Sequence, residues 1–127
     1  MKASKETLAT AYEDNDMSIR DAVWGDTHVS WESYAKELDV GPLLKGLPND
    51  LDQCPHHGFV FRGKMTISYE DGTSEEIAAG ETYYIRPGHT TVLEAGTEVL
   101  EFSPNEEFKV TMDMAMKNMA EMSEAQE

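Results

Sequence analysis

An all-β fold is what this sequence predicts: an antiparallel β-barrel or sandwich followed by a single C-terminal α-helix. Three observations carry that expectation. Short runs with two-residue alternation recur between residues 18 and 102. Glycine-based turns punctuate them, at Gly25-Asp26, Asp71-Gly72, Ala79-Gly80, Pro87-Gly88 and Ala95-Gly96. Only beyond Ser103-Pro104 does the apolar spacing lengthen to that of a helix. The 127 residues suffice for one core and are too few for two.

Residues 1–17 are polar and mixed, and read as a flexible N-terminal arm with a short helical turn near Leu8 to Tyr12. Residues 18–103 form the predicted β-domain. Its first strand covers 18–24, with Ile19 and Val23 on one side. Residues 28–35 alternate: Val29, Trp31 and Ala35 share one face, His28, Ser30, Glu32 and Tyr34 the other. Residues 36–55 break the rhythm, because Gly41-Pro42, Gly46, Pro48 and Pro55 interrupt regular structure. Leu43, Leu44, Leu47 and Leu51 should anchor this long connection, and ordered loops of such length are often functional. Strands then follow at 57–62, 64–70, 73–77, 82–85, 90–94 and 98–102. Residues 104–127 are predicted as an amphipathic helix and tail, fraying from Glu121. Glu106 and Glu107 complement the dipole at its start. Phe108, Met112, Ala115, Met116 and Met119 fall on one face, a stripe suited to packing on the β-domain or on a second subunit.

Charge and cysteine content narrow the partners. The net charge of −15 repels phosphate backbones and anionic membranes, so neither nucleic acid nor membrane is expected. A solvated surface explains the excess acid, as does a salt-rich cytoplasm; a cationic substrate is the sharper alternative. The single cysteine, Cys54, cannot form an internal bridge, and the N-terminus has no apolar signal-peptide core. A cytoplasmic protein is the resulting expectation. No elbow for a nucleophilic serine and no phosphate-binding glycine loop is present.

Two stretches gather the chemistry. One is Cys54-Pro55-His56-His57-Gly58-Phe59-Val60-Phe61-Arg62-Gly63; the other is Gly80-Glu81-Thr82-Tyr83-Tyr84-Ile85-Arg86-Pro87-Gly88-His89. Together they resemble the two motifs of the cupins over about residues 54–102, and more weakly over 18–53. Gly63 matches the closing glycine of the first motif; Gly80 and Pro87-Gly88 resemble the frame of the second. The ligand positions differ. Counted back from Gly63, the family's glutamate falls on His56 and its His-x-His pair near Asp50-x-Asp52. Counted forward from Gly88, its last histidine falls on Thr91, two residues after His89.

The resemblance implies a cupin-type antiparallel β-barrel (a jelly roll), often a homodimer, with a pocket at its mouth for a small-molecule ligand. Imidazole chemistry makes a divalent transition metal, Zn, Fe, Ni or Mn, a candidate cofactor: His56 and His89 sit on strand entries that the resemblance places in the barrel, and His28 is a third candidate ligand from the face that carries Glu32 and Tyr34. On a regular strand His56 turns inward and His57 outward. Cys54 is a weaker fourth candidate, and a small buried apolar residue is the favoured reading of it. Trp31, Tyr34, Phe59 and Arg86 are candidate ligand-binding groups, aromatic surface with a few directed polar atoms. Tyr84 and Glu94 are candidate acid–base residues. The functional expectation is a small-molecule-binding protein, possible as a metal-dependent enzyme on a small organic metabolite. The alternatives are a metal-free binding or sensing module and a structural dimerisation unit built on the methionine-rich helix.

Overall fold

Residues 1–125 are described by the computed structural model, as two antiparallel sheets and one helix. The strands are β1 (Ala9–Glu13), β2 (Met17–Trp24), β3 (Thr27–Tyr34), β4 (Leu38–Asp39), β5 (His56–Arg62), β6 (Lys64–Tyr69), β7 (Ser74–Ala78), β8 (Thr82–Ile85), β9 (His89–Leu93) and β10 (Thr97–Pro104). Helix α1 spans Asn105–Ala125. One sheet has the order β1-β2-β3-β10-β5-β8, the other β4-β9-β6-β7. Among the described residues no helix is long and apolar enough to cross a membrane.

The inner faces of the two sheets meet in one core. Tyr34, Val60, Tyr83, Ile85 and Val99 come from the larger sheet; Met65, Ile67, Tyr69, Ile77 and Leu93 come from the smaller. The chain passes from one sheet to the other at Gly63, between β5 and β6. Its φ of +81° belongs to the region that side chains avoid, and a Cβ there would lie 2.3 Å from Thr97 Oγ1. That hydroxyl fixes the corner: it donates to the Glu94 carbonyl at 2.7 Å and accepts the Lys64 N–H at 3.1 Å. The glycine of the first motif is thus required by the change of sheet.

Two elements differ from expectation. The N-terminal arm contains an edge strand, β1, paired with β2 from Ala9↔Asp21 to Glu13↔Ser18. Its side chains lie mostly in solvent and a register shift interrupts it between Thr10 and Tyr12, so no alternation marked it. Buried Leu8 anchors the arm just before this strand. Helix α1 continues through Glu121, where fraying was expected, to Ala125; the remainder of the predicted tail, residues 126–127, lies outside the described residues. On β3 the polar set faces inward: His28, Ser30, Glu32 and Tyr34 are all buried.

The connection at 36–55 behaves as its leucines predict. Leu43, Leu44 and Leu47 are buried, while Leu51 is half-buried. Two 3-10 turns, Gly41–Leu44 and Pro48–Asp50, lead the chain to Asp52. There the backbone bridges to β9: Asp52 N–H donates to the His89 carbonyl at 2.8 Å, and the Asp52 carbonyl accepts Gly88 N–H at 2.8 Å.

Candidate metal centre and ligand cavity

Asp52, His56 and His89 meet inside the molecule. Asp52 comes from the long connection, His56 from the first residue of β5, and His89 from the first residue of β9. All three are buried, and one donor atom from each lies within 4.8 Å of the others. His56 Nε2 is 3.0 Å and His89 Nε2 is 3.3 Å from Asp52 Oδ2. The other carboxylate oxygen, Oδ1, accepts the Cys54 N–H and the Thr111 hydroxyl, each at 2.9 Å. Thr111 belongs to α1, so the helix is tied directly to the cluster.

The outer ring nitrogens orient both imidazoles. His89 Nδ1 lies 2.8 Å from the Arg86 carbonyl, to which only an N–H can bond. His89 therefore aims Nε2 at Asp52. His56 Nδ1 contacts Ser103 Oγ at 2.7 Å and Glu101 Oε2 at 3.4 Å. Orientation of ligand imidazoles by a carbonyl or carboxylate on the far nitrogen is the usual support of a metal site.

A metal fits this arrangement. Two bonds of ~2.1 Å at ~90–110° place donor atoms ~3.0–3.4 Å apart. The two nitrogen-to-Oδ2 distances, 3.0 and 3.3 Å, fall in that range. With His89 Nδ1 protonated, its Nε2 lone pair would face a carboxylate oxygen; a cation between them, a proton or a metal ion, resolves the conflict. Two imidazoles and one carboxylate on neighbouring positions suit first-row divalent metals and leave coordination sites open.

Burial and charge are strongly coupled here. Burial favours a neutral Asp52, but the hydrogen bonds from His56 and His89 outweigh it and hold the carboxyl well below its usual range. Burial likewise opposes a charged His56; the Glu101 charge and the hydrogen bond and charge of Asp52 overcome it and raise the imidazole to about 9. Glu32 is shifted upward by burial and by the neighbouring Glu101 charge, against hydrogen bonds from Tyr34 and Ser30. Cys54 has no exposure, and burial pushes its thiol up to about 12, which makes it an inert core residue.

The cluster opens into a cavity of about 120 Å³ between the sheets and α1. Its walls include Met65, Ile85, Leu93 and Val99; its roof is the helix stripe of Phe108, Met112, Ala115, Met116 and Met119. Asn118 fixes the roof at its other end, donating to the Leu43 and Lys45 carbonyls at 2.8 Å. The methionine stripe therefore packs on the β-domain, one of the two roles expected for it.

The structure brings together only some of the residues named from sequence. His56 and His89 converge, and Tyr34 lines the cavity with its hydroxyl on Glu32. His28 does not join them. It lies on the inner face of β3, but its Nε2 contacts Asp21 at 2.8 Å and its ring stacks on Phe108 at 3.7 Å. Trp31, Phe59 and Tyr84 fall on the outer face of the larger sheet, since their strand neighbours Glu32, Val60 and Tyr83 point inward. Tyr84 is 53 % exposed beside outward-turned His57. Glu94 pairs with Lys64, and Arg86 lies over the Tyr69 ring while bonding Asp71, both away from the cavity. Neither acid–base candidate reaches the cluster. Asp52 was absent from the ligand set, and the signal for it was the motif spacing, which lands near Asp50-x-Asp52.

Comparison with known proteins places this architecture. No family model matches the chain, and no curated protein matches its sequence. Solved structures do match in fold. An RmlC-like cupin from Shewanella frigidimarina superposes with a TM-score of 0.54 at 15% identity, over 80% of this chain and 88% of its own. The polyketide cyclase RemF from Streptomyces resistomycificus gives 0.56 at 12% identity, over 83% of this chain and 79% of its own. An RmlC-like cupin family protein with a double-stranded β-helix fold, from Methanocaldococcus jannaschii, gives 0.52 at 11% identity, over 80% of this chain and 94% of its own. The fold of this chain is that of the cupin superfamily.

Proposed function

We propose that this chain is a small-molecule-binding protein of cupin fold that holds a divalent transition metal on Asp52, His56 and His89, and that the metal-loaded cavity is an active site for a small organic metabolite. The convergence of three buried donor atoms at the floor of an apolar cavity is the observation that carries this reading. A metal bound there supplies a Lewis acid for a ligand oxygen or nitrogen. The protein's own part is to orient the imidazoles through Ser103, Glu101 and the Arg86 carbonyl, and to exclude water with the α1 roof. Untagged protein should carry about one equivalent of Zn, Fe, Ni or Mn by elemental analysis, and His56→Ala should lose at least ~90% of it, since removing one of three ligands weakens a site by orders of magnitude. Retention of metal by His56→Ala, or wild-type protein that neither contains metal nor melts higher on adding any of the four, would sink this assignment.

One observation favours a metal-free module instead. Asp52 already accepts contacts from His56, His89, Cys54 and Thr111, a complete set for a buried carboxylate. The same elemental analysis separates the two readings.

We also propose a homodimer, formed through the outer face of the larger sheet. Phe59, Phe61 and Phe102 are more than one-third exposed there, with Tyr84 beside them, in a chain of charge −15. An aromatic face whose carboxylate, Glu98, is already paired with Lys5 and Arg62 is where two such chains can meet with least repulsion. Sedimentation should give twice the 14.2 kDa chain mass, and Phe61→Asp with Phe102→Asp should reduce it to one chain. A monomeric wild type at micromolar concentration would refute the interface.

A further inference from the structure

We propose that the cavity selects a small apolar molecule with a cationic head, a primary amine, over the carboxylic acid of the same shape. This deepens the ligand-binding reading above and rests on it, but not on the metal.

The cavity has two polar poles. One is the Asp52–His56–His89 cluster. The other lies on the far side of the His56 ring, where Glu101 Oε2 approaches Nδ1 at 3.4 Å. Glu101 and Glu32 both line the cavity from adjacent strands, β10 and β3, with Glu101 opposite Ser30 and Glu32 opposite Val99, so the two carboxyls sit diagonally on one inner face. Each is at least nine-tenths buried and each is held by a tyrosine: Tyr83 donates to Glu101 Oε1 at 2.8 Å, and Tyr34 donates to Glu32. A carboxylate has about four acceptor positions. Glu32 also accepts the Ser30 hydroxyl at 2.7 Å on its other oxygen, and each group still has acceptor positions left for a further donor.

Carboxyls outnumber cations at this pole, where the His56 imidazolium is shared between Asp52 and Glu101. The lining contains three carboxyls, Glu32, Asp52 and Glu101, and neither lysine nor arginine. Its two imidazoles are already engaged by Asp52, and His56 also by Glu101. Arg86, a candidate ligand-binding group, bonds Asp71 on the outside. An anionic head would therefore enter a poorly screened site against like charge, whereas an ammonium would bring three donors to unfilled acceptors.

Size and shape complete the ligand class. A cavity of roughly 150 Å³ is known to hold benzene. The 120 Å³ here suits a body of similar or smaller size. Met65, Leu93 and Val99 on the walls and Phe108 and Met112 in the roof offer that body an apolar surround.

The test is calorimetric titration of the full chain as purified with benzylamine, benzyl alcohol and benzoate at neutral pH, with metal content measured on the same sample. Benzylammonium should bind at least ~10-fold more tightly than benzoate, the scale set by like-charge repulsion in a buried site. Glu101→Gln should reduce that ratio by about 10-fold, with circular dichroism and a cooperative thermal transition certifying the variant's fold. Glu32→Gln serves as the second variant if Glu101→Gln does not fold. Benzoate binding as well as benzylammonium, or a ratio indifferent to both substitutions, overturns the proposal. Binding of none of the three overturns it too, even if the sample carries its metal. An amine preference in a sample without metal still supports it; the metal assignment falls separately, when added metal also fails to raise the melting temperature.

Discussion

Asp52→Ala is expected to lower stability by about 3–5 kcal/mol, the usual effect of removing one partner from a buried charged cluster. For a domain of this size that is a fall in Tm of roughly 10–20 °C. The carboxylate has a contact on every side: two imidazoles on Oδ2, the Cys54 amide and the Thr111 hydroxyl on Oδ1. Alanine leaves all four without a partner, and unmet buried donors account for the size of the effect. Asp52→Asn keeps the shape and one acceptor, so its loss should be smaller than that of alanine. Both variants should bind no metal. Denaturant unfolding of the chelator-treated proteins measures the effect directly; a loss below about 1 kcal/mol for alanine would mean that the cluster is not the organising charge of this interior.

The second large effect is a stability that depends on pH at both ends. His56 is raised from 6.5 to about 9 in the folded protein. A raised folded value contributes stability that is complete below 6.5 and disappears as pH climbs through about 9. At 1.36 kcal/mol per unit this is an effect of about 3 kcal/mol. Asp52 is shifted the opposite way, so its contribution is present above the unfolded carboxylate value and declines in acid. Both shifts describe one interaction and should not be summed. Metal-free protein should thus be most stable between about pH 4 and 6.5, with a decline in alkali that His56→Gln abolishes. Metal uptake should move the other way. His56 must release a proton to coordinate, so affinity should rise up to tenfold per pH unit until about 9. A metal affinity independent of pH between 7 and 9 would show that His56 is not a ligand.

Much of the fold was legible because strands declare themselves through alternation and glycine turns. Lys64–Tyr69 and Thr82–Ile85 alternate as required, and Gly63, Gly72, Gly80, Gly88 and Gly96 all have positive φ. Edge strand β1 was not legible, since a strand exposed on most of its residues has no apolar period. The site was half legible. His56 and His89 follow from their motif positions, and His56 inward with His57 outward follows from strand parity. Asp52 was obscured because it sits in an irregular loop among Pro48, Asn49 and Pro55, where no period indicates direction. His28 was misleading for a different reason. Its face on β3 is the inner one, but the inner face is long, and Asp21 and Phe108 occupy its ring. Sheet parity tells which side a residue faces; it does not tell how far along the strand the cavity lies.

The helix roof has a consequence for biosynthesis. Every wall of the cavity precedes residue 105 in the chain, and the roof follows it. A chain emerging from the ribosome therefore completes Asp52, His56 and His89 while the space above them still opens to water. The Thr111 hydroxyl reaches Asp52 only once α1 has emerged and docked. Premature termination shortly after residue 104 would release a lidless β-domain whose floor is intact and whose Leu43 and Leu44 have lost the methionines opposite them, a species prone to stick to its neighbours.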